Sequence, residues 1–337
     1  MEIYKEHIMD KVVVISGVAG MTGSKTAQHL LEKGYCVVGF DNFFCGSKQL
    51  IKEINCNAHF KFFEYDITNK KQMDCLYEFV ATQYPKHEKY FINCAAVVHT
   101  KYFYHPDATF LTNVISMKET MDRCVQQGYT RYINCSTSEV YSMKSWAEGG
   151  VKEDAAVLLA TAEQSLRTSY ATGKLLTEFF IKDAVERKLI RGCSIRFANV
   201  YSPDEVYSEH IIPHIIDSLK ENNKVILLEN AKKTRRTFLN NYDSCMAVIK
   251  LLETENCLDG SVYNVGTQEE ILIVDLVKKI ASLMHKSQFE IEFRGERMAD
   301  PTRRLLNIAK IYNRTGWKPE INLEMGLKEC IKKRWGE

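Results

Sequence analysis

Gly17-Val18-Ala19-Gly20-Met21-Thr22-Gly23 stands directly between an apolar run, Val12–Ser16, and an amphipathic stretch, Gly23–Lys33. Few local patterns constrain a chain more. Glycines spaced GxxGxxG let the backbone turn tightly. They also let a pyrophosphate reach the free N–H groups of the helix that comes next, where the helix dipole favours negative charge. The residues expected to touch it are Gly17, Gly20, Met21 and Gly23. Downstream, the first two hundred residues keep alternating short apolar runs with longer amphipathic ones, as a parallel sheet covered by helices requires. Expected strands are Val12–Ser16, Cys36–Phe40, Phe60–Tyr65, Tyr90–Cys94, Tyr132–Cys135 and Cys193–Phe197. Expected helices are Gly23–Lys33, Lys70–Gln83, Ala108–Gln127 and Arg167–Arg187; in the last, Leu175, Leu176, Phe179, Phe180 and Val185 share one face. The prediction is α/β: a Rossmann-type doubly wound parallel sheet with a smaller C-terminal α/β substrate domain.

The rhythm loosens after Pro203. Polar, charged stretches at Asp204–His210, Glu229–Arg236 and Gly295–Arg304 interrupt helical patterns near Ile211–Lys220, Asp243–Leu252, Ile273–His285 and Leu323–Trp335. Irregular polar loops beside a regular scaffold are where ligand contacts concentrate. Residues 1–202 are therefore assigned to a dinucleotide-binding domain, with 236–265 returning to it, and 203–337 to a substrate domain.

Composition excludes several classes. Lys plus Arg number 45 and Asp plus Glu 43, a formal charge of +2, which gives no global drive toward nucleic acid or acidic membranes. No apolar run approaches the ~20 residues of a membrane span. The N-terminal MEIYKEHIMDK lacks the apolar core of a signal peptide. The 11 cysteines are scattered without a CxxC or a zinc-finger His pair, so reduced thiols in the cytoplasm and no metal are expected.

The second strand runs into Asp41 and Asn42, about twenty residues past the glycines. An acidic side chain there accepts the ribose hydroxyls of NAD and repels a 2′-phosphate, with Lys48 the one nearby cation. Asp66, ending the third strand, either caps the following helix or meets the adenine amino group, with Ile67 beside it on the cofactor side. Tyr170 and Lys174 form YxxxK inside a predicted helix, where i, i+4 spacing sets phenol and ammonium on one face. A phenol titrates near pH 10, so acting as a base near pH 7 takes about 4 kcal/mol of assistance from a neighbouring cation. Ahead of them Ser136-Thr137-Ser138-Glu139 closes an apolar strand and brings hydroxyls to the ligand crevice of an open sheet.

These features occur together and in order with Ala95, Ala96 and His99 after the fourth strand and Asn113 in the next helix. So arranged, the chain resembles the extended short-chain dehydrogenase/reductase family, in its nucleotide-sugar epimerase/dehydratase branch. Arg196-Phe197-Ala198-Asn199-Val200-Tyr201, Arg236-Thr237-Phe238 and Gly316-Trp317-Lys318-Pro319 are similar to later segments of that branch, so the likeness spans the chain.

The resemblance implies NAD as cofactor, with Ala95, Ala96 and Asn113 on its binding surface. It implies Tyr170 as the base at the sugar C4 hydroxyl and Lys174 on the nicotinamide ribose, lowering the phenol's pKa. Thr137 and His99 would meet the sugar, and Asn199, Arg236 and Arg297 the diphosphate. A homodimer through the helices near 108–127 and 167–187 is implied as well.

The fate of the oxidised sugar depends on the residues around it. Thr137-Ser138-Glu139 resembles both the triplet of nucleotide-sugar 4,6-dehydratases and the TSE of UDP-glucuronate decarboxylases; in a dehydratase Glu139 would remove the C5 proton and Ser138 relay one to the leaving hydroxyl. Dehydration is the first expectation. A C4 epimerase or C4 oxidase/reductase, a UDP-glucuronate-type decarboxylase, and a non-catalytic NAD-binding protein are the alternatives. A decarboxylase needs a cation for the substrate's carboxylate; the stretch after Pro203 is acidic, which counts against that option unless Arg303 or Arg304 reaches in. Departures from the branch's pattern, at Ser142, Ser202, Asn240–Asp243 and 146–165, surround the expected sugar pocket.

Overall fold

The computed structural model describes residues 10–141 and 149–336; Ser142, the start of the 146–165 stretch and most of the N-terminal segment lie outside the described residues. β1 (Lys11–Ser16), β2 (Cys36–Asp41), β3 (Phe60–Glu64), β4 (Glu88–Asn93), β5 (Arg131–Thr137) and β6 (Arg191–Phe197) join the strand Asp259–Val265 in one seven-stranded sheet. From one edge the order is Asp259–Val265, β6, β5, β4, β1, β2, β3, and every pairing is parallel. Successive side chains of a strand point to opposite faces. Val12 and Val14 accordingly enter one apolar layer and Val13 and Ile15 the other, all fully buried.

The order reverses between β1 and β4, so their carboxyl ends diverge and open a crevice. Ser16 and Asn93 are register partners there. The Ser16 hydroxyl donates to Asn93 Oδ1 (2.8 Å) and accepts from Ala95 N (3.2 Å), which locks the glycine loop against the turn after β4. Gly17 takes φ of 68°, and α1 (Met21–Glu32) starts from Gly20 without a side-chain cap. A Cβ on Gly23 would lie 2.2 Å from the Gly17 carbonyl oxygen. Gly23→Ala should therefore destabilise the fold by about 1–3 kcal/mol and weaken NAD+ binding, as urea denaturation and calorimetry would read.

α2 (Lys70–Gln83), α3 (Ser116–Gln126) and α4 (Thr168–Glu186) cover the sheet. The single helix expected over 108–127 is instead a short helix, Pro106–Phe110, a wide π-type turn, Leu111–Ile115, and then α3. Asn113 lies in the wide turn, where its side chain accepts from Val97 N (2.8 Å) and donates to Val97 O (3.4 Å).

The later residues build a third apolar cluster, with Ile212, Ile215, Leu219, Leu276, Ile280 and Leu327 at its centre. Two small sheets accompany it: Glu270–Leu272 with Arg235–Asn240 and Asn199–Tyr201, and Glu290–Phe293 with Lys224–Leu227. Among the described residues no helix is long and apolar enough to cross a membrane.

Candidate active site

A cavity of about 820 Å³ opens at the carboxyl ends of the strands and runs from the glycine loop to the C-terminal unit. At its cofactor end Asp41 is buried; its carboxylate accepts from Ala19 N (3.0 Å) and Phe43 N (2.7 Å). Burial pushes its pKa up, opposed by those N–H groups. Asn42 donates to Asp66 (2.8 Å), which also accepts from the Thr68 N–H and hydroxyl. Burial alone would raise the Asp66 pKa; the Thr68 and Asn42 hydrogen bonds outweigh it and hold the carboxyl below its ordinary value. Lys48 pairs with Glu64 (3.1 Å) at the surface. Uncapped helix N–H groups, a close-packed glycine loop and a buried acid at the end of β2 fit the pyrophosphate and adenosine ribose of NAD.

At the other end α4 carries Tyr170 and Lys174. The Lys174 ammonium, 2% exposed, donates to the Cys135 carbonyl (2.8 Å), and burial pulls its pKa down. Burial pushes the Tyr170 phenol up and the Glu139 charge adds to that, while a hydrogen bond with Thr137 and the Arg167 charge oppose the rise. The Tyr170 ring stacks on Phe103, centroids 3.9 Å apart and planes 8° from parallel. Behind the helix, Glu178 takes a two-point contact from Arg196 (2.9 and 2.6 Å) and the Ser136 hydroxyl (2.6 Å), which seats α4 on β5 and β6.

Glu139 sits among cations. Its two oxygens accept from Arg167 Nη1 (2.6 Å) and Arg304 Nη1 (2.7 Å), and both guanidiniums are buried. Burial opposes the carboxylate charge, but Arg304 and Arg167 outweigh it and hold the group well below the usual carboxylate range. Arg236 is beside them, paired with Asp300 (2.9 Å) and the Pro301 carbonyl (2.8 Å); burial and the Arg304 charge push its pKa down to about 10. Three guanidiniums thus face two carboxylates, leaving one positive charge. Arg304 Nε and Nη2 and Arg167 Nε are buried without a partner among the described residues. Unpaired buried donors of a charged group are costly.

The chain matches the family model GDP-mannose 4,6 dehydratase over residues 14–330. It belongs to that family. Members among its relatives include mouse (Mus musculus) dTDP-D-glucose 4,6-dehydratase, 26% identical over 95% of this chain and 88% of that protein. Another is UDP-glucuronic acid decarboxylase 2 of Arabidopsis thaliana, 24% identical over 95% of this chain and 67% of that protein. The UDP-glucuronic acid 4-epimerase of Bacillus cereus, solved with UDP-glucuronic acid and NAD, superposes with a TM-score of 0.83 at 22% identity, covering 97% of this chain and 100% of that one. Such members place the chain within the extended short-chain dehydrogenase/reductases.

Most of the residues expected to form the family's site do line one cavity: Gly17, Gly20, Met21, Gly23, Asp41, Asn42, Asp66, Ile67, Ala95, Ala96, His99, Thr137, Glu139, Tyr170, Lys174, Asn199, Arg236 and Arg297. Two do not. Ser138 is 2% exposed and off the cavity wall, because the chain turns into a short 3-10 helix right after Thr137. Asn113 is 1% exposed and acts from behind, bracing the Val97 backbone. Arg303 is held by Glu270 outside the cavity, whereas Arg304 reaches in. Arg236 is largely committed to Asp300 and backbone carbonyls rather than open toward a diphosphate. Arg167 belongs to no motif; its place three residues before Tyr170 on the same helical face is the one signal in the sequence that points to it. Asp300, too, is visible only in three dimensions.

Proposed function

We propose that this protein is an NAD-dependent enzyme that oxidises C4 of a nucleotide-bound uronic acid and then releases C6 as carbon dioxide. The observation that carries this reading is the state of Glu139, whose two oxygens are taken by Arg167 and Arg304 while other donors of those guanidiniums stay unpaired. A sugar carboxylate in the cavity that Arg167, Arg236 and Arg304 line complements the surplus positive charge of the cluster. NAD, held by the Gly17–Gly23 loop and Asp41, supplies the oxidation at C4.

Tyr170 takes the C4 hydroxyl proton, with Thr137 fixing that oxygen. A C4 ketone makes the C6 carboxylate a β-keto acid. The C5–C6 bond breaks, its electron pair moves toward the C4 oxygen, and a proton then adds at C5. No protein base is required at C5, which suits a carboxylate locked between two arginines. Asn199 and Arg297 line the same cavity and are placed against the nucleotide diphosphate.

Elimination of water is the second reading, favoured by the likeness to dTDP-D-glucose 4,6-dehydratase and by the place of Glu139 on the cavity wall. It needs Glu139 to leave its arginines and abstract a proton. Mass spectrometry of purified protein with UDP-glucuronic acid, and separately with dTDP-glucose, separates the two. A product from the acid lighter by carbon dioxide, with hydride returned to C4, or by carbon dioxide and two hydrogens, with hydride retained on the cofactor, supports the first reading. One lighter by water from the neutral sugar overturns it, as would conversion of the acid to its C4 epimer alone. Arg304→Gln should raise KM for the acidic sugar about 10–100-fold, the worth of a charged hydrogen bond.

We also place the protein in the cytoplasm, where unbridged thiols persist, as a homodimer. Phe110, Leu111, Ile115, Leu176 and Phe179 lie 38–64% exposed on the 106–115 segment and α4. These two elements pack on each other, so their outer faces form a surface that a second copy would cover. Phe179→Asp should give a monomer in analytical ultracentrifugation where the native chain gives a dimer.

A further inference from the structure

Cys94 directly follows β4, and Cys135 lies in β5, one step beyond the register pair Asn93–Asn134. Both line the cofactor end of the cavity, and their sulfurs are 3.7 Å apart. Neighbouring strands run about 4.8 Å apart, within the Cα separation that a disulfide spans. Two further observations set this pair apart from the other nine cysteines. The carbonyl of Cys135 is the acceptor that anchors the Lys174 ammonium (2.8 Å). The Cys94 backbone also packs on the glycine loop, where a Cβ on Gly17 would come within 2.9 Å of the Cys94 carbonyl carbon. The pair therefore joins the two parts of the site that NAD must touch together.

We infer that Cys94 and Cys135 form an oxidisable thiol pair in the floor of the NAD cavity, a site where hydroperoxides drive formation of a disulfide. Cys135 is the attacking thiol. The hydrogen bond from Cys94 draws its pKa down, burial opposes that, and the Lys174 charge helps; the thiolate is the reactive form. Its sulfur attacks the peroxide O–O bond, forming a sulfenic acid and releasing water from hydrogen peroxide. Cys94 sulfur then attacks the sulfenic sulfur, and a second water leaves with the Cys94 proton. Two thiols are oxidised by two electrons, and one peroxide is reduced. Closing the sulfurs from 3.7 Å to a bonded ~2.05 Å displaces the carbonyl that holds Lys174 and the backbone beneath Gly17. NAD+ bound in that cavity would cover the pair, so the modification belongs to protein whose cavity is open.

The test is peptide mass mapping after graded hydrogen peroxide, with and without saturating NAD+, and is independent of the sugar reaction. The expected result is a peptide linked through Cys94 and Cys135, two hydrogens lighter than its parts, reversed by dithiothreitol and formed about tenfold or more slowly with NAD+. In Cys94→Ser, Cys135 should accumulate as a sulfenic acid trapped by dimedone. Cys56 and Cys75, both exposed, are internal controls. If they oxidise while Cys94 and Cys135 remain reduced, or if Cys135 in Cys94→Ser reacts no faster than Cys75, the inference fails.

Discussion

Tyr170→Phe should lower turnover by about 10²–10⁴, the usual worth of a positioned acid–base group, and leave NAD+ affinity nearly unchanged. The substitution removes only the hydroxyl; the ring remains stacked on Phe103 at 3.9 Å, so the fold stays in place. Steady-state assay beside calorimetry with NAD+ reads both quantities. The pH profile carries a sign as well. Burial and Glu139 push the phenol up, so it is protonated near neutral pH and its base form gains as pH rises. The native rate should climb with pH through the neutral range, and that limb should vanish in the variant. Turnover unchanged by the substitution would remove Tyr170 from the role of base.

The second large effect is expected at Glu139. Glu139→Gln turns a cluster of three guanidiniums and two carboxylates, net +1, into one with net +2. Removing one partner of a buried ion pair costs about 3–5 kcal/mol, because the remaining charge stays desolvated; urea unfolding at pH 7 should show a loss of about that size. The native carboxyl is held well below the roughly 4.3 of an unfolded glutamate. Its stabilising contribution is therefore full above about pH 5 and is lost as pH falls below that unfolded value. The stability gap between native protein and variant should stay constant from pH 8 to about 5 and narrow on acidification. If the variant instead keeps native stability, loses turnover and no longer takes up solvent deuterium at C5, Glu139 is the base and water elimination is the reaction.

Legibility in the sequence tracked the range of the interaction. The glycine loop, the acid ending β2 and the i, i+4 pair Tyr170–Lys174 are local: each is set by chain stereochemistry within a turn or two, so spacing suffices to read it. Strands buried on both faces of the sheet, such as β2, read as plain apolar runs for the same reason. Reading failed where the chain was short-ranged but ambiguous. Lys224–Leu227 and Glu290–Phe293 do alternate, but at four residues each the pattern is too short to declare a strand by itself. The wide turn at Leu111–Ile115 hides inside a continuous helical pattern, since its partner, the Val97 backbone held by Asn113, lies across a loop.

From its sequence alone, then, this chain could be known as a doubly wound NAD-type scaffold with a phenol–ammonium pair at its crevice, since every one of those signals is local. The chemistry at C5 was not there to be read. Glu139 and Arg304 are 165 residues apart, and Arg167 approaches from a third element. Which charges neutralise one another in a buried site depends on the few ångströms between them in a medium that screens poorly. That geometry arises only when β5, α4 and the loop at Arg304 have packed together, and it is what turns a carboxylate legible as a base into one held as an anchor.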